Sequence, residues 1–542
     1  MSYNIADLFE HTVDVVPDRT AVVDGTVRLT YQELDERANR IGHFLQAKGV
    51  GKDDHVGIYA ENSHEWMEVM LGCLKIRAVP ININYRYVED ELSYLLGNAE
   101  VVACFYDRKY ASRLAAVASA SPRLTTFVHI EDGSDEAEAA EGLATLGSIA
   151  YDDAVTSGSP TRDFEERSPD DLYVIYTGGT TGMPKGVMWR SEDIYFALGQ
   201  GIDALSGEKV ATEYTKAEQA AASENPLIFC VVPPLMHGAA QIATVSQWFI
   251  GSTLVVVRKF DAAEVWDLFE REGVNSVIIT GDAMASPMMK ALEDNPGRWD
   301  LSALISLSSS AALFSQSLKD KFLELFPNLI ITDSIGSTEG GFNGITMASK
   351  GEKANAGGPT VKAGQDVVIL DDDLNPIPEG DDRVGMLARG GNIPLGYFND
   401  PVKTAATFIT AADGNRYVVA GDAARWAGPG QMTMLGRGSV SINSGGEKIF
   451  PEEVEQALKA HPAVADCTVV GARDERWGQR VAAIVEFHPG SSAELGELAD
   501  HCRTHIAGYK VPKQLLVVEH VVRSPSGKPD YRWAKELVDA EG

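Results

Sequence analysis

The sequence predicts an α/β protein in two parts: a large N-terminal body of several subdomains with parallel-rich sheets, and a small α+β C-terminal domain. Three observations carry this. The chain's 542 residues exceed what one hydrophobic core organises. Short apolar runs suited to buried strands alternate with helical patterns through roughly the first 430 residues. A polar, Gly-rich stretch, GPGQMTMLGRGSVSINSGGEK, then interrupts the alternation. The expected division is 1–436 and 437–542.

The runs HVGIYA at 55–60, VVACFYD at 101–107 and LYVIYT at 172–177 predict strands. LIFCVVP from 227, TLVVV from 253, VNSVIIT from 274 and ALISLSS from 303 predict more. Between them AAEVWDLFERE repeats its apolar residues at helical spacing. The segment 131–143, EDGSDEAEAAEGL, is acidic with few large apolar groups and predicts a surface loop without a role. After the Gly-rich stretch, PEEVEQALKAHPAVADCTVVGARD predicts a Pro-initiated helix followed by a β-branched strand.

Hydrophobic residues make up 44% and charged residues 23%, which excludes disorder of the whole chain. Forty-seven basic against 78 acidic residues leave a net charge of −31, which disfavours nucleic acid and anionic membrane as partners. Five widely spaced cysteines without a C-x-x-C argue against a disulfide framework and a zinc site, and fit a reducing cytoplasm. No basic-then-apolar leader opens the chain, and no run of about eighteen apolar residues predicts a membrane span. A homo-oligomer stays open.

The stretch Tyr176 to Gly186, YTGGTTGMPKG, carries the most chemistry. Gly178, Gly179 and Gly182 let the backbone turn tightly, so that N–H groups, the hydroxyls of Thr177, Thr180 and Thr181, and Lys185 can face one anion. It is not a Walker A loop, because Met183 and Pro184 separate Gly182 from Lys185 and a glycine follows the lysine. In DSIGSTEGG, Glu339 beside Thr338 offers hard oxygen donors for Mg²⁺, although a Thr-Glu pair also starts helices. Asp422 in VVAGDAAR could accept both hydroxyls of a ribose or simply sit in a turn. Arg437 in LGRGS suits ribose, phosphate or an interdomain salt bridge. Lys528 lies in the loop SPSGKPDYR between Pro525 and Pro529. His237 in PPLMHGAA reads either as a buried histidine or as a gate for a carboxylate in an apolar pocket. No Ser/His/Asp order, H-E-x-x-H or kinase signature occurs.

Taken in order, these segments resemble the adenylate-forming superfamily of acyl-CoA synthetases, firefly-type luciferases and peptide-synthetase adenylation domains. The resemblance starts at LTYQELDERANRIGHFL and runs through the Gly/Thr loop, PPLMHG, GSTEG, GMLARGGNIPLGYFNDP, AGD, GRGSVSINSGGEKIFPEEVE and DERWGQRVAA to AGYKVPK and PSGKPDYR. It implies that ATP, Mg²⁺ and coenzyme A are used to turn a carboxylic acid into an acyl adenylate and then a thioester. By the same resemblance, Thr177 to Lys185 hold the β and γ phosphates, and Glu339 with Thr338 positions Mg²⁺. Ser309 to Ala312, including Ser310 and Ala311, lie at adenine, with Asp333 nearby; Asp422 and Arg437 bind ribose. Lys528 is the expected catalytic lysine, on a lid that turns to present Ser444, Gly445, Gly446, Glu447 and Lys448 to the thiol of coenzyme A.

The chain departs from the pattern at Gly178, where the family often has a hydroxyl, at Ile335, where an aromatic often stacks on adenine, and at Ala420. At the expected hinge, Ser439-Val440 replaces the usual Asp or Lys, which moves the pivot to Gly438 or Ser439. The wording YTGGTTGMPKGVMWR resembles bacterial ligases for fatty acids and steroid side chains, so a bulky apolar acid is expected. ITGDAMASPMM and the small residues Gly238, Ala239, Ala240 and Ala311 would leave room for it. A carrier-loading adenylation enzyme and a non-catalytic relative are the alternatives.

Overall fold

The computed structural model describes residues 3–179, 182–203, 206–312, 314–348, 360–437, 440–444, 447–474, 478–523 and 528–541. The chain forms two compact units. The first comprises Met1–Ile278, Gly297–Leu304 and Asn392–Ala406; the second comprises Ile279–Pro296, Ile305–Gly391 and Thr407–Gly542.

In the first unit the strands Val79–Asn82, His55–Tyr59, Ala103–Asp107, Thr126–Ile130 and Ile149–Ala150 lie side by side in that order, all parallel. Every residue of the first three is buried, so they appear in sequence as apolar runs whose polar residues, His55, Asn82 and Asp107, stand only at their ends. A second group orders Val27–Thr30, Thr20–Asp24, Thr253–Val256, Ile228–Val231 and Ser276–Ile279, parallel except at the first pair. The helix Tyr31–Ala47 starts at a capping box: the Thr30 hydroxyl accepts from the Glu33 N–H at 3.1 Å, and the Glu33 carboxylate accepts from the Thr30 N–H at 2.8 Å. Its apolar stripe of Leu34, Ala38, Ile41 and Leu45 is buried.

The acidic segment at 131–143 is not simply a loop, because a helix runs from Glu136 to Leu146. Asp135 caps it, accepting from the Ala137 N–H at 2.8 Å, and Gly147 ends it with φ of 57°. Alanine and glutamate are good helix formers, and the missing bulk is a packing requirement. A Cβ on Gly142 would lie 2.6 Å from the carbonyl carbon of Ala111, so the neighbouring helix Ala111–Val117 can approach only a glycine.

In the second unit Ser306–Ser310 pairs in parallel with Ile330–Ser337, and the sheet then continues antiparallel through Gly341–Met347, Thr360–Ala363, Gln431–Arg437, Asp422–Gly428 and Gly385–Arg389. The parallel-rich sheets therefore belong to the first unit. The C-terminal residues build a five-stranded sheet around the long antiparallel pair Val464–Asp474 and Gly478–Phe487. The helices Pro451–Lys459, Leu495–Arg503 and Tyr531–Glu541 accompany it. Proline opens the first of these, where its missing N–H costs nothing. All five cysteines are free and buried. No helix among the described residues is long and apolar enough to cross a membrane.

Candidate functional site

In the first unit the Gly/Thr segment is the tip of an antiparallel hairpin of Leu172–Gly179 and Gly182–Arg190. Tyr176 faces Gly186, Thr177 faces Lys185, and Gly179 faces Gly182. Thr180 and Thr181 lie outside the described residues. Side chains directly opposite in a ladder are neighbours, so Thr177 and Lys185 form a pair beside the tip. Lys185 Nζ lies 5.4 Å from the centre of the Tyr397 ring, which steadies the ammonium. Gly186 is required by packing, since a Cβ there would meet the Tyr176 ring at 2.6 Å.

His237 caps the helix Gly238–Phe249 in an extended conformation, with φ of −111° and ψ of 137°. The segment before it is held by two buried asparagines. The Asn62 amide donates to the carbonyls of Pro233 and Val257, and its oxygen accepts from the Leu235 N–H at 2.6 Å. Asn82 donates to the carbonyl of Tyr176 at 2.8 Å and of Met236 at 2.7 Å, and accepts from the Tyr176 N–H at 2.8 Å. One side chain thereby joins the residue before Thr177 to the residue before His237. Asn82 is not among the residues expected from sequence; its signal there is an asparagine ending the otherwise apolar strand VPIN. Asn82→Leu should strand three buried backbone groups at about 1–3 kcal/mol each. A fall in unfolding free energy of roughly 3 kcal/mol is expected in chemical denaturation, and a loss below about 1 kcal/mol would refute the bridging role.

The second unit holds the remaining expected residues. Ser309 and Ser310 end the strand Ser306–Ser310, facing Asp333 and Ser334 across the parallel pair. Ser309 Oγ accepts from the Gly281 N–H at 3.1 Å. The next residue, Ala311, is exposed with φ of 70°, a left-handed conformation that costs a non-glycine residue energy and marks a constrained turn. Burial pushes the Asp333 carboxyl up, against the pull of Lys319, whose Nζ lies 3.0 Å away. Asp333 is thus engaged in a buried ion pair as well as lying beside the serines.

Thr338 and Glu339 lie in the turn between Ile330–Ser337 and Gly341–Met347, not at a helix start. Two contacts fix the turn: the Gly340 N–H donates to Ser337 Oγ at 2.8 Å, and Arg389 Nη1 donates to the Gly340 carbonyl at 3.1 Å. Arg389 is only 4% exposed; burial pushes its guanidinium down to about 10, so it remains a cation at neutral pH. Arg389 was legible only as an arginine closing the apolar strand GMLAR.

Asp422 opens its strand opposite Arg437, which closes the partner strand, so the ladder itself brings the two expected ribose ligands together. Gly421 before them has φ of 94°. Lys528 sits in a loop whose base is closed by a bridge between Arg523 and Pro529. Ser444 faces Glu447 and Asn443 faces Lys448 in a short hairpin. Gly445 and Gly446 at its tip lie outside the described residues, as do Gly438 and Ser439 of the expected hinge and Pro525 before Lys528. The helix Gly281–Asp294 contains the segment GDAMASPMM, and Met284, Met288 and Met289 on it are buried.

Residues 9–398 match the AMP-binding enzyme family, and residues 453–528 match the AMP-binding enzyme C-terminal domain. The chain is 52% identical to a 3-oxocholest-4-en-26-oate–CoA ligase of Rhodococcus rhodochrous, over 99% of this chain and 96% of that one. It is 50% identical to a medium/long-chain-fatty-acid–CoA/3-oxocholest-4-en-26-oate–CoA ligase of Mycolicibacterium smegmatis, over 99% and 97%. Among solved structures, the anthranilate CoA ligase AuaEII in complex with anthranoyl-AMP shares the fold, with a TM-score of 0.83 at 20% identity over 100% of this chain and 98% of that one. A Gly/Thr hairpin closed by Lys185, a braced acidic turn and an Asp–Arg strand pair occur together in a chain matched along nearly its whole length, and it belongs to the AMP-binding enzyme family.

Proposed function

We propose that this protein is an ATP-dependent carboxylic acid:CoA ligase that works through an acyl adenylate, and that its acid is bulky and apolar, a steroid side-chain carboxylate or a long-chain fatty acid. The observation that carries the reading is the 52% likeness, over 99% of the chain, to a ligase named for a steroid side-chain acid. The medium/long-chain name of a second relative supports the fatty acid as the other member of the class.

The chemistry asks little of covalent catalysis and much of electrostatics. A carboxylate attacks the α-phosphate of ATP and expels pyrophosphate, so negative charge moves from the acid and gathers on the leaving group. Lys185 and Thr177, opposite one another beside the hairpin tip, hold the β and γ phosphates. Asp422 accepts from the ribose hydroxyls, with Arg437 across the ladder. Lys528 neutralises charge shared by the acid and the α-phosphate. His237 orients the carboxylate. Residues 437–542 then turn as a lid, bringing the hairpin of Ser444, Glu447 and Lys448 to the thiol of coenzyme A, which displaces AMP.

Mg²⁺ fits the donors present: a carboxylate and a hydroxyl, Glu339 and Thr338, on a turn held by Arg389, are hard oxygen ligands of the kind it prefers. When bound it supplies positive charge at the departing pyrophosphate.

The test is pyrophosphate release across a panel of steroid, long-chain and small aromatic acids, with and without coenzyme A. Steroid or long-chain acids should react fastest, and the thioester should form only with coenzyme A present. Fastest turnover of small aromatic acids would overturn the substrate class, and acylation of a carrier protein in place of coenzyme A would overturn the ligase.

A further inference from the structure

Within the second unit a buried ion relay joins the helix Gly281–Asp294 to the loop that bears Lys528. Lys459 Nζ, on the last residue of the helix Pro451–Lys459, lies 2.9 Å from Asp282 Oδ2 and 2.9 Å from Asp466 Oδ1. Asp466 in turn receives the fork of Arg523, Nε to Oδ2 at 2.6 Å and Nη2 to Oδ1 at 2.5 Å. Arg523 forms one side of the bridge at the base of the Lys528 loop. Asp282, at the other end, uses its second oxygen to accept from the Ser315 N–H at 2.8 Å, at the end of the segment that follows Ser309 and Ser310.

The groups alternate in sign: carboxylate, ammonium, carboxylate, guanidinium. Asp282 and Lys459 are both less than a tenth exposed. Burial alone would raise the Asp466 carboxyl, yet Lys459 and Arg523 hold it down to about 2. Burial would likewise discharge Lys459, yet the two aspartates keep its ammonium well above the ordinary value. A buried ion array of this kind adds little net stability over an apolar one, but each member is costly to leave alone, so it favours one arrangement over all others.

We propose that Asp282 and Lys459 are positioning residues that latch the C-terminal residues in one of their two working orientations, and that they connect the loop at Ser309–Ser315 to the segment carrying Lys528. This rests on the reading of 437–542 as a lid. The contact spans the expected domain division, so a lid that turns must break it, and the pair therefore weights one half-reaction against the other. The latch acts through Lys528 and the Ser309 loop.

The experiment measures two rates separately in the full chain: acid-dependent ATP–pyrophosphate exchange, and thioester formation from preformed acyl-AMP and coenzyme A. Asp282→Asn keeps an acceptor for the Ser315 N–H and removes the charge. The ratio of the two rates should shift about 5-fold or more, the size expected when a coupling between states is lost. Lys459→Met should shift it in the same direction, Lys459→Arg should restore most of it, and Asp282→Asn/Lys459→Met should shift it no further than either single change. An unchanged ratio, or an equal fall in both rates, would overturn the latch. If Lys459→Met does not fold, Asp282→Asn against Lys459→Arg decides. The wild-type chain separates this from the broader reading: without exchange or thioester formation in the unaltered protein the ligase assignment fails, whereas an active wild type with an unmoved ratio sinks only the latch.

Discussion

Replacing Lys528 by alanine should slow acyl-adenylate formation by about 10²–10³-fold, the usual loss when one preorganised charge-stabilising group is removed from a transition state. The same variant should convert preformed acyl-AMP to thioester at a rate within about 3-fold of wild type, because the proposed turn of the lid withdraws this lysine before the thiol attacks, so it contributes to the first transition state and not to the second. Structure makes the substitution clean. The loop is closed below by the Arg523–Pro529 bridge, and Arg523 is tied to Asp466, contacts that the substitution leaves in place. Circular dichroism and melting should be unaltered. Equal loss of both half-reactions would remove the role given to Lys528.

Glu339→Gln should lower kcat for adenylation by about 10²-fold and shift the Mg²⁺ titration to higher concentration, with little change in melting temperature. Glutamine keeps the length and an oxygen but not the charge. Ser337 and Arg389 fix the turn through the Gly340 backbone, so its geometry survives the change. The buried Arg389 sharpens the test: with the carboxylate gone, the local balance becomes more positive, which disfavours a bound cation further. Unaltered Mg²⁺ dependence with a full loss of kcat would assign Glu339 to substrate or water instead of metal.

Much of this was legible in the chain. The strands at 55, 103 and 228 were readable because parallel strands buried on both faces become apolar runs. The helix Ala262–Glu272 was readable because its stripe is amphipathic, with Val265, Trp266 and Phe269 buried. The helix Glu136–Leu146 was not, because the first part of its packing face is the small Ala139 and Gly142, and its large apolar residues, Leu143 and Leu146, come only near its end. Charged candidates such as Lys185, Glu339 and Asp422 announce themselves by residue type and neighbours. Asn82, Arg389 and Asp282 do not: each acts on backbone or side chains more than forty positions away, and single-sequence spacing holds no record of such pairs.

An acyl adenylate is a hazard to its own maker, since any accessible thiolate would be acylated. All five cysteines of this chain are sealed from solvent, and burial raises every one of their thiols, Cys502 to about 12 and the other four further. A thiol held protonated inside a core is a poor nucleophile. The fold thus leaves the field to a sulfur delivered from outside, and what looked in sequence like a mere sign of a reducing compartment acts as protection against self-modification.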